Sequence, residues 1–416
     1  MHFVQSGGKV NKTQSDFYET KNFSRNFWEI KIVIFMKETK IISGSDAVAQ
    51  AAKLCRPAVL PMYPITPSTL IPERMSEFVA NGEIKAELIH VESEHSAISA
   101  MHGAYAAGSR AFTATASQGL ALMHEILPII SAARMPAVMV VANRALSGPL
   151  NIWNDHSDAM SEKDQGWIQL YCETAQEAFD TTIMAYKIAE KKNVLLPVMV
   201  CMDGFLLTHV YEPVIIEDQQ KVDAFLPEYK PQNILDPAHP KTFGAFAQPN
   251  TYFEFREAEQ NAMKKALVEI KNVHEEFAKT FKRKYGGGLI ELIEMKDAEY
   301  AILLAGATCG TARMVLEELR KKGKKAGIIR IKSVRPFPVE EIISAAKKLK
   351  HLGVIDRHVS IGYEGPLCID VKAALKEEKA KVIGFIAGLG GRDIDRVRLR
   401  KAFEIVEKGK EGEWLK

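Results

Sequence analysis

His90-Val-Glu-Ser-Glu-His-Ser-Ala-Ile-Ser-Ala-Met-His-Gly-Ala-Tyr-Ala-Ala-Gly-Ser-Arg-Ala-Phe-Thr-Ala-Thr-Ala-Ser-Gln-Gly119 is the stretch on which the fold turns. Leu88–Val91 predicts a strand, and Ser93–Ala107 a helix built largely of Ala, Ser and Gly, with Glu94 in its first turn. A second strand over Ala111–Ala114 and a tight Gln118-Gly119 turn follow. Small residues let a backbone lie close to whatever it faces, and a carboxylate is aimed from the helix start. A site for a planar, nitrogen-rich cofactor could be built in this way. The plainer reading is that Glu94 complements the positive end of the helix dipole.

Outward from this stretch, short apolar runs alternate with helical patterns. Strands are predicted at Ala58–Met62, Ala137–Ala142 and Val198–Met202, and helices at Ser45–Cys55, Thr66–Asn81, Gly119–Ala133 and Thr174–Lys191. Pro67 falls near the first position of the second of these helices, where a missing N–H costs little. The βαβα order implies a doubly wound α/β fold with a parallel sheet covered on both faces. Residues 225–255 are rich in Pro, Asn and aromatic residues, which fits an ordered loop region. A charged helix over Arg256–Lys284 follows, stopped by Tyr285-Gly286-Gly287-Gly288. A second α/β unit then begins near Leu289, with strands at Tyr300–Ala305, Ala326–Ile331, Leu352–Ile355 and Lys381–Ile386. The chain is thus expected to comprise 1–35, a polar and disordered extension before Met36; 36–285, a first domain with its loop and bridging helix; and 286–416, a second.

Composition narrows the class. The 416 residues are 47% apolar with a net charge of +3, ordinary for a globular protein. No strongly basic face is required, so nucleic acid is not implied. No apolar run approaches the ~18 residues of a membrane span. The five cysteines, Cys55, Cys172, Cys201, Cys309 and Cys368, form no CxxC. A metal or iron–sulfur site made by this chain alone is not expected, and the odd, scattered set fits a reducing cytoplasm.

Candidate site residues gather at predicted strand ends, where ligands bind in open α/β sheets. Tyr63-Pro64-Ile65-Thr66-Pro67-Ser68 marks one such end; Thr66 could offer its hydroxyl to a ligand or simply cap the helix. Arg144 follows another strand and could bind a carboxylate with two parallel hydrogen bonds, or be a surface ion-pair residue. His156, in Asn154-Asp155-His156-Ser157-Asp158, is a weak candidate base. Asp203-Gly204 lacks the spaced Asn of a diphosphate–Mg²⁺ motif and fits a turn. Gly388-Leu389-Gly390-Gly391-Arg392-Asp393 lacks the third glycine of a dinucleotide loop and fits a packing turn better than a phosphate site.

Taken together, YPITPS (63–68), ESEHSAISAMHGA (92–104), TATASQGL (113–120), ANRAL (142–146), NDHSD (154–158), MDGF (202–205), RPFP (335–338) and GLGGRD (388–393) resemble the alpha subunit of the pyruvate:ferredoxin oxidoreductase (pyruvate synthase) family. The resemblance runs from about residue 36 to 401. It implies a thiamine-diphosphate-binding domain of the pyrimidine type over 36–285 and a transketolase C-terminal-like domain over 286–416. Glu94 would bond N1′ of the aminopyrimidine, shifting the ring toward the imino tautomer that takes the thiazolium proton. Thr66, with Pro64 and Ile65, would line the cofactor and oxoacid pocket, and Arg144 would hold the substrate carboxylate.

The implied reaction is oxidative decarboxylation of pyruvate to acetyl-CoA and CO₂, with electrons passing to ferredoxin; synthesis is the reverse. The chain lacks the Asn-bearing GDG of a Mg²⁺-diphosphate site and a cysteine set for clusters, so it is expected to be inactive alone. The resemblance implies that beta, gamma and delta subunits supply the Mg²⁺-diphosphate site, a further domain and the iron–sulfur clusters, with coenzyme A and pyruvate as small-molecule partners and neither nucleic acid nor membrane. Alternatives are a 2-oxoisovalerate or 2-oxoglutarate enzyme, a non-catalytic docking subunit, and, disfavoured by the missing motif, a self-contained carboligase.

Overall fold

The structure, a computed structural model, describes residues 38–416; the expected extension over 1–35 lies outside them. The strands in chain order are β1 (Glu38–Ser43), β2 (Val59–Met62), β3 (Glu87–His90), β4 (Phe112–Thr115), β5 (Val138–Asn143), β6 (Ile168–Tyr171), β7 (Val198–Asp203) and β8 (Tyr211–Ile216). After a long helix come β9 (Ile290–Ile293), β10 (Tyr300–Leu304), β11 (Ala326–Ile331), β12 (Ser333–Arg335), β13 (His351–Asp356), β14 (Lys381–Ala387) and β15 (Trp414–Leu415).

Two α/β sheets result. The first has the order β12-β6-β7-β5-β4, with the parallel pair β2-β3 joined beside it through a Val59–Ala111 bridge. The second has the order β15-β14-β13-β10-β11-β9. Val-Met-Val-Val-Ala-Asn in β5 and Val-Met-Val-Cys-Met-Asp in β7 are buried at every position, as central parallel strands covered on both faces require. Neither sheet is purely parallel, however. β9 pairs antiparallel with β11, and β12 pairs antiparallel with β6. The reason for the second is topological: after β11 the chain crosses at Lys332 from the second sheet to the edge of the first. An edge strand drawn from elsewhere in the chain leaves no mark in the local βαβα pattern, and β12 was not expected.

Three apolar clusters hold the layers together. One packs the helices Gly44–Leu54, Leu70–Ala80, Ala175–Ala189 and Pro249–Phe281 on one face of the first sheet. A second fills the space shared by β5 and β7 with β10, β11 and β13. The third lies under the helices Thr308–Lys321 and Arg396–Glu407 of the second sheet.

Local chemistry moved two boundaries. The helix expected over Thr66–Asn81 starts at Leu70. Ser68 donates both its amide and its hydroxyl to the Ile65 carbonyl at 2.8 Å, a local turn that competes with helix. Thr69 is the N-cap, so Pro67 is not in the helix and Thr66 does not cap it. The helix expected over Gly119–Ala133 is two short ones, Ser117–Leu122 and Leu127–Ala132. Gln118-Gly119 therefore lies in a helical first turn, and the sharp backbone change falls at Ser117 (φ 48°).

A buried ionic cluster bridges the two sheets. Glu177 ion-pairs with Arg330 and, at 2.8 Å, with Lys332, and all three are at most 2% exposed. Burial alone would raise the Glu177 pKa, but the two cations outweigh it and hold it at about 2. Truncating one partner strands a buried charge, so Arg330→Ala is expected to cost about 3–5 kcal/mol in chemical unfolding. Because the folded pKa is depressed, the stabilisation is present above the unfolded value of about 4.3 and is lost as pH falls toward 2. Acid titration of unfolding should show this loss in the parent and a weaker one in Arg330→Ala.

Candidate active site

The carboxyl ends of β2, β4, β5 and β7 converge on one rim. Glu94 is the first residue of the helix Glu94–Ala106, placed there by Ser93, whose hydroxyl accepts the Ser96 amide at 3.2 Å. This is a helix start fixed by its cap. Glu94 is only 7% exposed, and among the described residues no ion pair or side-chain hydrogen bond engages its carboxyl group. Burial raises its pKa, countered in part by its own backbone N–H. Against it lies Gly119, where a Cβ would sit 2.6 Å from Glu94 Oε1 and 2.5 Å from Thr115 Oγ1. The Thr115 hydroxyl is buried and has no hydrogen-bond partner. An acid without a partner, an orphaned hydroxyl and a wall that admits no side chain form a cradle for a flat ligand carrying polar ring atoms.

Arg144, one residue beyond β5, is 8% exposed. Its Nε donates to the Asn151 carbonyl and its Nη1 to the Thr66 carbonyl, both at 2.9 Å. No carboxylate ion-pairs with it among the described residues, so the surface ion-pair alternative does not hold. Burial lowers its pKa, against a raising contribution from Asp158. A guanidinium has five N–H donors, and the backbone bonds aim the fork without neutralising it.

Thr66 and Arg144 are thus brought together, but through the Thr66 backbone; Thr66 itself is exposed, as is Pro64. Ile65 is half-buried, its carbonyl taken by Ser68. No hydrogen bond joins Glu94 to any of these residues, and the link between them runs through Asp158. Its Oδ2 accepts the amides of Ser117 and Arg144, at 3.0 and 2.9 Å. Sequence reasoning quoted Asp158 inside NDHSD without a role, and an aspartate amid polar neighbours carries no signal of its own.

Two other candidates are structural. His156 is buried, its Nε2 2.8 Å from Asp203 Oδ1. Asp203 closes β7 and also takes Asn154 Nδ2 and Arg357 Nη1 at 2.8 Å and the Ala307 amide at 2.5 Å. Burial would raise its pKa, but Arg357 and His156 bring it to about 2. The turn expected at Asp203-Gly204 begins at Gly204, while Asp203 itself binds the loop before His156 to the second sheet. The Gly388–Gly391 turn packs on that same loop: the Gly390 amide donates to Asp155 Oδ2 at 3.0 Å and Asn151 Nδ2 to the Gly390 carbonyl at 3.2 Å. Among the described residues no group of three or more His, Cys, Asp or Glu could hold a metal ion, and no helix is long and apolar enough to cross a membrane.

Residues 50–275 match the family of pyruvate flavodoxin/ferredoxin oxidoreductases, thiamine-diphosphate-binding, and residues 298–398 match the pyruvate:ferredoxin oxidoreductase core domain II. The chain belongs to the pyruvate:ferredoxin oxidoreductase family. It is 50% identical over 382 residues to the pyruvate synthase subunit PorA of Methanocaldococcus jannaschii, covering 91% of this chain and 98% of that one. It is 43% identical over 385 residues to the ketoisovalerate oxidoreductase subunit VorA of Pyrococcus abyssi, covering 90% and 97%. In fold it is similar to the 2-oxoglutarate:ferredoxin oxidoreductase of Magnetococcus marinus, with a TM-score of 0.68 at 19% identity. That match covers 89% of this chain and 66% of the longer one. The Glu94–Thr115–Gly119 cradle fits the cofactor class of the family.

Gly119→Ala tests the cradle. Overpacking there is expected to cost about 1–3 kcal/mol of stability and to weaken thiamine diphosphate binding by the assembled complex about tenfold or more, measured by cofactor titration.

Proposed function

We propose that this chain is the alpha-type subunit of a pyruvate synthase and supplies half of a thiamine diphosphate site. The observation that carries the reading is Glu94: a buried carboxyl group that among the described residues meets no ion pair and no donor but its own backbone N–H, facing a glycine wall. Half-identity to a pyruvate synthase subunit along nearly the whole chain supports the substrate, and the lower identity to the ketoisovalerate subunit makes a branched-chain oxoacid the second reading.

In this reading residues 36–285 bind the aminopyrimidine and residues 286–416 form the transketolase C-terminal-like domain. When bound, the cofactor supplies the carbon nucleophile that attacks a 2-oxo group. Glu94 would face the ring nitrogen and exchange a proton with it; burial raises its pKa. Arg144 receives the pyruvate carboxylate on the donors its backbone bonds leave free. Thr66, Pro64 and Ile65 wall the pocket between them.

The other half of the site, with Mg²⁺ and the diphosphate, falls to a beta subunit, and iron–sulfur clusters fall to gamma and delta subunits. All five cysteines of this chain are buried free thiols. Leu122, Leu150, Ile152, Trp153 and Leu206, which follow the same strand ends, are exposed, an apolar rim suited to cover by a partner. The complex would act in the cytoplasm, with coenzyme A and ferredoxin as its further substrates, without nucleic acid or membrane.

In the purified complex, Glu94→Gln is expected to lower coenzyme-A-dependent ferredoxin reduction with pyruvate by at least 100-fold; near-normal turnover would return the chain to a docking role. Arg144→Gln should raise the KM for pyruvate by roughly tenfold or more, since a charge-assisted hydrogen bond is worth about 1.5–3 kcal/mol. Across a panel of oxoacids, a preference for 2-oxoisovalerate would favour the second reading.

A further inference from the structure

Asp158 lies in the short helix Ser157–Ser161, outside the elements that carry Glu94 and Arg144, yet it bonds to the backbone beside both. It is 1% exposed. Oδ2 accepts the Ser117 amide at 3.0 Å and the Arg144 amide at 2.9 Å, while Oδ1 accepts Asn143 Nδ2 at 2.8 Å and the Ala159 amide at 2.7 Å. Four donors fill a carboxylate, and among the described residues no cation ion-pairs with it. Its charge is therefore held by oriented amides.

Ser117 needs such a hold. At φ 48° it is left-handed, a conformation that a serine keeps only when its surroundings fix it. Its hydroxyl is also engaged, donating to the Ala145 carbonyl at 2.6 Å. Two residues later Gly119 forms the wall against Glu94. β4 and β5 pair directly as sheet neighbours, and one carboxylate oxygen ties together the segments that leave them, at Ser117 and Arg144. That tie sets how the Gly119–Glu94 wall faces the Arg144 guanidinium.

We propose that Asp158 is a positioning residue of the reaction: it holds the cofactor-facing acid wall and the oxoacid-binding arginine in register. This rests on the roles given above to Glu94 and Arg144. Asp158 is buried with both oxygens taken by protein donors, so its action on the reaction runs through Ser117 and Arg144.

The test uses the complex containing this chain. Asp158→Asn keeps the size and one acceptor oxygen but turns an NH₂ group toward one pair of donors. It is expected to weaken thiamine diphosphate affinity and to raise the KM for pyruvate, each about tenfold, with the KM for coenzyme A unchanged. Adding Ser117→Gly, which adopts positive φ freely, should recover much of the cofactor affinity while the pyruvate KM stays high. A merely structural role predicts instead a loss of active complex with every KM and the cofactor affinity unchanged, and that result overturns the proposal. So does a Ser117→Gly addition that fails to separate the two effects. If Asp158→Asn does not assemble, Ser117→Thr carries the test, because a β-branched residue resists positive φ. It should weaken cofactor affinity several-fold with the pyruvate KM unmoved, and unchanged affinity overturns the proposal. A Glu94→Gln complex run in parallel separates the two levels. If it is inactive while Asp158→Asn behaves as the parent, the proposal alone fails; if it turns over normally, the site reading fails and the proposal with it.

Discussion

The Asp203 carboxylate is the joint on which this architecture depends. It stands at the carboxyl end of β7 and collects a histidine, an asparagine side chain, an arginine and a backbone amide. Two of those donors, Ala307 and Arg357, come from just beyond β10 and β13 of the second sheet, and two from the segment that carries Asp155 and runs into the Asp158 helix. A buried carboxylate is unfavourable unless its oxygens are satisfied and its charge is opposed. Meeting that requirement draws the second sheet and the 151–158 loop to the rim of the first. Arg144 inherits its orientation from the same loop through Asn151.

Against that rigid frame, Glu94 is the exception. The other buried carboxylates among the described residues are partnered: Glu177 by two cations, and Asp180 by Arg283 and Tyr285. Glu94 has a cap before it, a glycine facing it and no donor beyond its own backbone N–H. A carboxyl group whose pKa burial raises, near exposed apolar side chains, suits the proposed site shared with a partner subunit. The free donors of Arg144 have the same character, because its bonds to carbonyls orient the guanidinium without opposing its charge.

Much of this was legible in the sequence. Short apolar runs of four to six residues between helical periods placed nine of the fifteen described strands to within a residue or two, since burial on both faces leaves a continuous apolar signature. Glu94 stood out as a candidate because a helix-start acid beside a small-residue run is a local pattern, and Arg144 because it ends such a strand. Asp158 and Asp203 were passed over as site organisers. Their donors lie from one to 154 positions away, and an aspartate that binds distant amides looks, residue by residue, like one that makes a turn. The helix start at Leu70 was misplaced because Ser68 prefers a local turn to the helix that Pro67 suggested.

By itself, then, the sequence determined the alternating α/β order, the strand ends where a site could form, and the acid and arginine that could serve it; these depend on periodicity and on neighbours a few residues apart. Only the tertiary structure decided that β12 crosses to the first sheet, that Thr66 meets Arg144 through its carbonyl, and that Asp158 ties that arginine to the glycine wall before Glu94. Those are contacts between segments far apart in the chain. They are set by which buried donors and acceptors must find one another once the sheets have packed.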